Sequence, residues 1–457
     1  MSHFRSVDRH TAYLLPPSVD EWLPQNHLAR FIVEVVDGLD LRAMVSAYGG
    51  RGSAAYHLSL LLSLLIYGYA TGVFSSRKIE RATYDSVAFR FIAAGSHPDH
   101  DTLAAFRRRF LDELAGLFVQ VLDVAQEMKL LKLGTISLDG TKVQANASRH
   151  SALSHGHIEK MEAQLQAEVQ ELLALAEQAD QSNVPDGVSL PEEIQRREDR
   201  LKAMAEAKTK IEARAKARFE REQADYQAKL AAREEKQKKT GKKPGGRPPK
   251  PPTAGPKAQD QINLTDEASR IMPVSGGGFE QAYNAQAAVD TDSMLVMAPA
   301  VTQACNDKEQ VEPMLAQLAA LPASLGKADM LLADTGYFSA ANVAACEQAG
   351  LDPHIAVKRE RHPPPPLERF AEPMPLAEGS SPVARMAHKL QTQAGRAAYA
   401  LRKQTVEPVF GIIKSVLGFR QFSLRGLNKV SGEWTLVCLA WNLKRMAVLR
   451  PKSAQSA

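Results

Sequence analysis

Apolar residues recur at three- and four-residue steps through residues 1–130, the helical repeat, and no stretch there alternates as a strand would. The spacing predicts its clearest helix over 103–124, carried by Leu103, Phe106, Phe110, Leu114, Leu117, Val121 and Val124. Asp101 is positioned to cap it, after a turn containing Gly95 and Pro98. Shorter helices are expected at 77–83 and 86–93. Residues 52–76 carry no fixed charge, but the dense apolar part, 58–67, is ten residues long. A membrane span takes about 20, so this stretch predicts a buried core helix and the chain is expected to have no membrane partner.

The pattern changes twice further on. Residues 134–139 alternate in the strand manner and end in Asp139-Gly140, and 148–157 is polar and expected as loop. From 158 a helical repeat returns, with Ile158, Met161, Leu165, Val169, Leu172, Ala176 and Ala179 on one stripe. A break follows at Pro185, Asp186 and Gly187. A second arm opens with Ser189 and Glu192 at capping-box spacing and Pro191 in the first turn. Its stripe is Ile194, Leu201, Met204, Ile211, Ala215, Phe219, Tyr226 and Leu230. Two striped arms densely charged elsewhere predict an antiparallel coiled coil, the second arm the longer.

Residues 236–269 are rich in Lys, Pro and Gly and are expected to be a disordered linker. Within it, Gly245 to Lys250 partly resembles an AT-hook, whose Arg-Pro core enters the minor groove; a plain linker reads equally well. From 271 the chain turns α/β. Strands are expected at 281–290, 294–301, 330–333 and 353–357, and helices at 308–321 and 342–349. Eight prolines between 353 and 382 demand an exposed loop, and helices close the chain at 387–404, 406–416 and 434–446. Trp434 and Trp441, seven apart among apolar neighbours, read as core.

Charge is uneven. The chain is +5 overall, yet 236–250 holds seven basic residues and no acid, 414–452 is +7, and the remainder is −9. Such segregation points to a polyanionic partner, most simply nucleic acid. Cys305, Cys346 and Cys438 lie far apart without CxxC spacing, which excludes a disulfide framework and a cysteine zinc site and fits a reducing cytoplasm. No apolar signal-peptide core follows Met1. His150, His155 and His157 have no cysteine beside them and read as polar linker.

The chemistry centres on acids. Asp139 and Asp334 each close an expected strand, where an open α/β sheet binds its ligands. Carboxylates there can share hard cations such as magnesium, and a pair of ions can activate a nucleophile and steady a leaving oxygen at a phosphodiester. Two other readings stand beside this. Asp139-Gly140 is also a common turn, and Asp334-Thr335-Gly336 also matches the aspartic-protease tripeptide, which occurs once here and would need a dimer. Near the C-terminus Glu407 and Lys414 lie seven residues, two helical turns, apart. Pro408 either opens a new helix near Thr405 or kinks a longer one.

The order Asp139, Asp334, then Glu407 within Tyr399-x-x-Arg402…Glu407-x6-Lys414 resembles the DDE transposases of bacterial insertion sequences. Residues 282–290, 333–337 and 418–446 are similar to that family's catalytic segments, and the helical N-terminus to its DNA-binding region. Four residues separate Arg402 from Glu407, where the usual signature has three. The resemblance implies a ribonuclease-H-like mixed sheet flanked by helices, assembled from 131–157 and 270–450. Around it stand an all-α, helix-turn-helix-like DNA-binding domain at 1–130, an inserted hairpin at 158–235, the linker at 236–269 and a tail at 451–457.

It further implies that Asp139, Asp334 and Glu407 bind two Mg2+ ions, with Mn2+ as a substitute. Terminal inverted repeats would be cut by hydrolysis and their 3′-hydroxyls joined to target DNA by transesterification. Lys414, Arg402 and Tyr399 would hold DNA phosphates. Arg420, Arg425, Arg247 and Lys250 would add affinity, and Arg107, Arg108 and Arg109 would serve the N-terminal reader. Three consecutive arginines spread round a helix, so not all can face one groove. A homodimer acting at the nucleoid follows from joining two ends. A non-catalytic DNA-binding scaffold and a metal-dependent nuclease without strand transfer are the other classes the residues allow.

Overall fold

The computed structural model describes residues 18–48, 55–179, 190–241, 245–274, 276–358, 371–377 and 379–451. They fall in two units, one from the segments before Asn146 and after Gln281, the other from Asn146–Gln281.

The first unit begins with eight helices: α1 Val19–Trp22, α2 Leu28–Asp37, α3 Arg42–Ser46, α4 Leu58–Thr71, α5 Ser76–Asp85, α6 Val87–Ile92, α7 His100–Arg109 and α8 Glu113–Glu127. Helix α4 is apolar on every side and is buried nearly throughout, as such a helix must be. No single helix among the described residues is long and apolar enough to cross a membrane. The helix expected over 103–124 is two helices. Asp99, not Asp101, caps the first, accepting from Thr102 N at 2.8 Å. The break at residues 110–112 lets two consecutive residues go inward: Phe110 stacks on Tyr48, and Leu111 packs against Gly432.

Five strands form this unit's sheet: β1 Thr135–Gln144, β5 Phe279–Asp290, β6 Val296–Thr302, β7 Met330–Ala333 and β8 Asp352–Ile355. Pairing runs β6-β5-β1-β7-β8. Strands β6, β5 and β1 are antiparallel neighbours, while β1, β7 and β8 run parallel. The sheet is therefore mixed, and helices flank it. Strand β1 does not stop at Asp139. Gly140 pairs with Gln286 and the ladder continues to Gln144 opposite Ala282, so Asp139 is mid-strand and the turn reading of Asp139-Gly140 is overturned.

Helices α11 Val311–Ala319 and α12 Ala340–Gln348 alternate with the parallel strands. Three helical segments close the chain: α13 Pro382–Gln391, α14 Gln393–Gly411 and α15 Leu427–Leu449. The expected break near residue 405 is instead at Thr392, which caps α14 by accepting from Gly395 N. Pro408 lies inside α14, and a π turn over Ile412–Val416 follows it. Much of the proline-rich loop lies outside the described residues.

Helix α15 holds the unit together, packing on β6, α4 and α8. Trp434 is core, its Nε1 donating to Gln286 O at 2.9 Å, and Trp441 donates to Met294 O. Asn442 bonds both Val296 N and Val296 O at 2.8 Å. Glu433, fully buried, accepts from the Tyr69 hydroxyl at 2.9 Å and from Ser423 N and Leu424 N.

In the second unit, α9 His155–Ala179 and α10 Leu190–Thr240 pack together over Ile158, Leu165, Met204, Ala207 and Ile211. The cross-pairs Glu162–Lys208 and Glu168–Arg197, both at 2.9 Å, show that the helices run antiparallel. The expected break at Pro185 and the Ser189 cap lie outside the described residues. Two expectations are corrected here. Helix α9 opens at His155 and β2 Ala152–Ser154 precedes it, where a polar loop was expected. Helix α10 runs to Thr240, and β3 Gln261–Asn263 forms inside the expected linker. Burial of Ile262 in the helical core and the bond from Asn263 Nδ2 to Ser148 O at 2.7 Å stabilise β3 there. Strand β4 Arg270–Pro273 pairs with β5, whose opening residues belong to this unit.

Candidate active site

Parallel pairing of β1 and β7 places Leu138 opposite Ala333. The next residue on each strand is an aspartate, so Asp139 and Asp334 stand side by side at one level of the sheet. Asp334 follows β7 and caps a 3-10 turn, its Oδ1 accepting from Gly336 N at 2.7 Å. Asp139 Oδ1 accepts from Gly140 N at 2.8 Å. Helix α14 lies against β1 and β7 and brings Glu407 to the same place, its side chain about half exposed.

Arg402 joins these acids. Its buried guanidinium donates from Nη1 to Asp139 Oδ2 at 3.2 Å and from Nη2 to Glu407 Oε1 at 2.7 Å. The extra residue between Arg402 and Glu407 leaves them in direct contact. The guanidinium also lies 5.8 Å from the Tyr399 ring centre. Burial works against its charge, but Tyr399, Asp139, Glu407 and Asp334 outweigh that and raise its affinity for the proton.

Burial pushes the Asp139 carboxyl up to about 7. The Gly140 N–H and Arg402 work in the opposite direction, and the neighbouring acids Asp334 and Asp307 add to the rise. An all-oxygen donor set short of positive charge fits a hard divalent cation. Among the described residues no three acids, histidines or cysteines already converge as a ligand set; Arg402 reaches both Asp139 and Glu407.

Lys414 does not simply share an exposed face with Glu407. Its Nζ donates to Thr141 Oγ1 at 3.1 Å and to Lys142 O at 2.9 Å, tying the π turn to β1 just beyond Asp139. Burial lowers its proton affinity. Arg420 is exposed and donates to Lys414 O, and its own carbonyl accepts from Gln144 N. Arg425 is also exposed.

The N-terminal arginines separate by environment. Arg107 is buried, donating from Nη1 to the Tyr69 hydroxyl at 2.9 Å and to Phe74 O, so it is corrected from a DNA contact to a core residue. Arg108 and Arg109 are exposed, and Arg109 stacks over Tyr48 and Phe110. In the second unit Arg247 and Lys250 are exposed.

Sequence reasoning gave Asp307 no role, although its carboxylate accepts from Asn284 Nδ2 at 2.6 Å and Gln286 Nε2 at 2.7 Å beside Gly140. The signal that pointed to it is the pair of amides, two residues apart, in an otherwise small and apolar strand.

Residues 252–443 match the model of the transposase DDE domain, and residues 17–109 match that of a transposase domain, DUF772. No curated protein and no solved structure matches the chain.

Proposed function

Because the chain belongs to the insertion-sequence DDE transposases, we propose that it binds the terminal inverted repeats of its element, cleaves phosphodiester bonds there and joins the freed 3′-hydroxyls to target DNA. The observation that carries this reading is the level placement of Asp139 and Asp334 on adjacent parallel strands, with Glu407 tied to Asp139 through Arg402. A sheet of three antiparallel strands continued by two parallel ones supports a ribonuclease-H-like catalytic core.

Asp139, Asp334 and Glu407 are the residues that would hold divalent cations, two Mg2+ ions or Mn2+ in their place. When bound, such ions lower the pKa of attacking water and stabilise the leaving oxygen. In the first step water attacks phosphorus at the element's end, the P–O3′ bond breaks and a 3′-hydroxyl is released. In the second, that hydroxyl attacks a target phosphodiester in line, and one P–O bond replaces another.

The chain's own cations position the DNA. Lys414, Tyr399 and Arg402 stand where phosphates would approach the acids, and Arg402 exchanges Glu407 for a phosphate oxygen. Arg108, Arg109, Arg247, Lys250, Arg420 and Arg425 supply salt-dependent affinity. The packed pair α9 and α10 acts as a coiled coil for assembly, and synapsis of two ends uses two copies of the chain on chromosomal DNA in the cytoplasm.

The test is cleavage of a labelled duplex carrying the element's terminal repeats, with Mg2+ or Mn2+. Wild type is expected to nick at the repeat boundary and join the 3′ end to a second duplex. Folded, DNA-binding Asp139→Asn, Asp334→Asn and Glu407→Gln should do neither. Nicking without joining would reduce the protein to a nuclease, and no cleavage by folded wild type would leave a DNA-binding scaffold.

A further inference from the structure

Strand β5 carries a polar pair that the reaction above leaves unused. Asn284 and Gln286 are fully buried on the same face, two residues apart. Both donate their side-chain amides to a single oxygen, Asp307 Oδ1. Gln286 is itself held by the Tyr337 hydroxyl, which donates to its Oε1, and by Trp434 on its carbonyl.

This places the Asp307 carboxylate against the glycines that neighbour the two aspartates of the site, close enough for its charge to act on Asp139. A Cβ on Gly140, beside Asp139, would stand 2.6 Å from Asp307 Oδ1. One on Gly336, beyond Asp334, would stand 3.5 Å from Asp307 Oδ2. Glycine at 140 is therefore what leaves room for Asp307 and the two amides that hold it. Lys142 Nζ, 3.8 Å from Asp307 Oδ1, only partly balances it.

A second observation is independent of the acids. Asn284 Oδ1 is buried and has no hydrogen-bond partner among the described residues. It faces the same spot, 2.9 Å from where a Gly140 Cβ would be. An orphaned buried acceptor is destabilising, and the water shell of a cation would satisfy it.

We propose that Asp307 is a fourth working carboxylate of this site, a positioning residue that strengthens its hold on divalent cations, with Asn284 and Gln286 fixing it in place. The Asn284 Oδ1 offers a neutral acceptor to the water of the same ions. The inference rests on the cation-dependent reading of the site. A residue that merely tethered its loop would affect stability and leave cation affinity alone.

The experiment counts Mn2+ bound by the full chain, from the electron paramagnetic resonance signal of the free ion, alongside melting curves in chelator. Asp307→Asn is expected to melt as wild type and to bind Mn2+ about 10- to 100-fold more weakly, the usual effect of removing an outer partner of a metal site. Lys142→Met, which lifts the opposing charge, is expected to bind several-fold more tightly. A folded Asp307→Asn with wild-type Mn2+ affinity overturns the proposal. If that variant does not fold, unchanged or weaker binding by Lys142→Met overturns it. Wild type and Asp139→Asn binding equally little Mn2+ would instead sink the cation-dependent reading, and this proposal with it.

Discussion

Arg402 donates to Glu407 at 2.7 Å while its other terminal nitrogen reaches Asp139 at 3.2 Å. One buried guanidinium thus stands in for positive charge between two acids from distant parts of the chain. Arg402→Gln is expected to fold but to lose at least about 100-fold in strand cleavage, since removing a preorganised electrostatic group costs that order. It should also raise the Asp139 pKa further, because Arg402 lowers it. Carbon-13 spectra of labelled aspartate carboxyls, recorded across pH, check the direction.

The acid at Asp139 makes stability fall as pH rises. Its folded pKa is about 7, above the unfolded value near 3.8, so the folded state holds the extra proton between those limits. The protonated acid is tolerated below pH ~4, and the cost of ionising it grows until pH ~7. In chelator, Asp139→Asn should therefore be more stable than wild type at neutral pH, by something on the order of 3 kcal/mol. The gap should close toward pH ~4. Adding Mn2+ should stabilise wild type and leave Asp139→Asn unmoved, as melting curves would record.

Glu433 is buried with three hydrogen bonds, from Tyr69, Ser423 and Leu424. Glu433→Leu strands two backbone N–H groups and the Tyr69–Arg107 pair, and should cost about 3–5 kcal/mol. Tyr69→Phe removes one shared hydroxyl and should cost about 1–3 kcal/mol. Calorimetry of the full chain reads both as a lower transition for the first unit, and equal melting temperatures would show the network to be idle.

Arg107 and Arg108 are neighbours in sequence with opposite expected phenotypes. Arg107→Ala should lower the melting temperature, because its guanidinium bonds Tyr69 and Phe74 inside the fold. Arg108→Ala should leave it unchanged and weaken duplex binding, reducing the slope of log affinity against log salt by about 1. Titrations at several salt concentrations separate them.

The three candidate acids stood out locally: Asp139 and Asp334 at the ends of expected strands, Glu407 by its spacing to Arg402 and Lys414. What those acids touch was not. The sequence assigns Arg402 only to DNA phosphates, and the packing of α14 across β1 and β7 is what buries it against Asp139 and Glu407. Asn284 and Gln286 lie in an expected strand with no role assigned to them, yet β5 is covered on both faces and both amides turn inward to Asp307. Helix ends were misplaced where tertiary contacts overrode the stripe, as at Phe110 and Leu111 against Tyr48 and Gly432.

Sequence alone determined most element types, the buried helix around 58–67, the two long charged arms and the order of the candidate acids. These follow from side-chain periodicity and backbone preference, which act within a few residues. Tertiary structure alone decided that Asp139 lies mid-strand beside Asp334, that Arg107 is interior, and that Asp307 packs against Gly140. Those outcomes depend on strand register and on which surfaces meet. Both are set by burying apolar area and satisfying polar groups across the whole chain, and no local spacing encodes them.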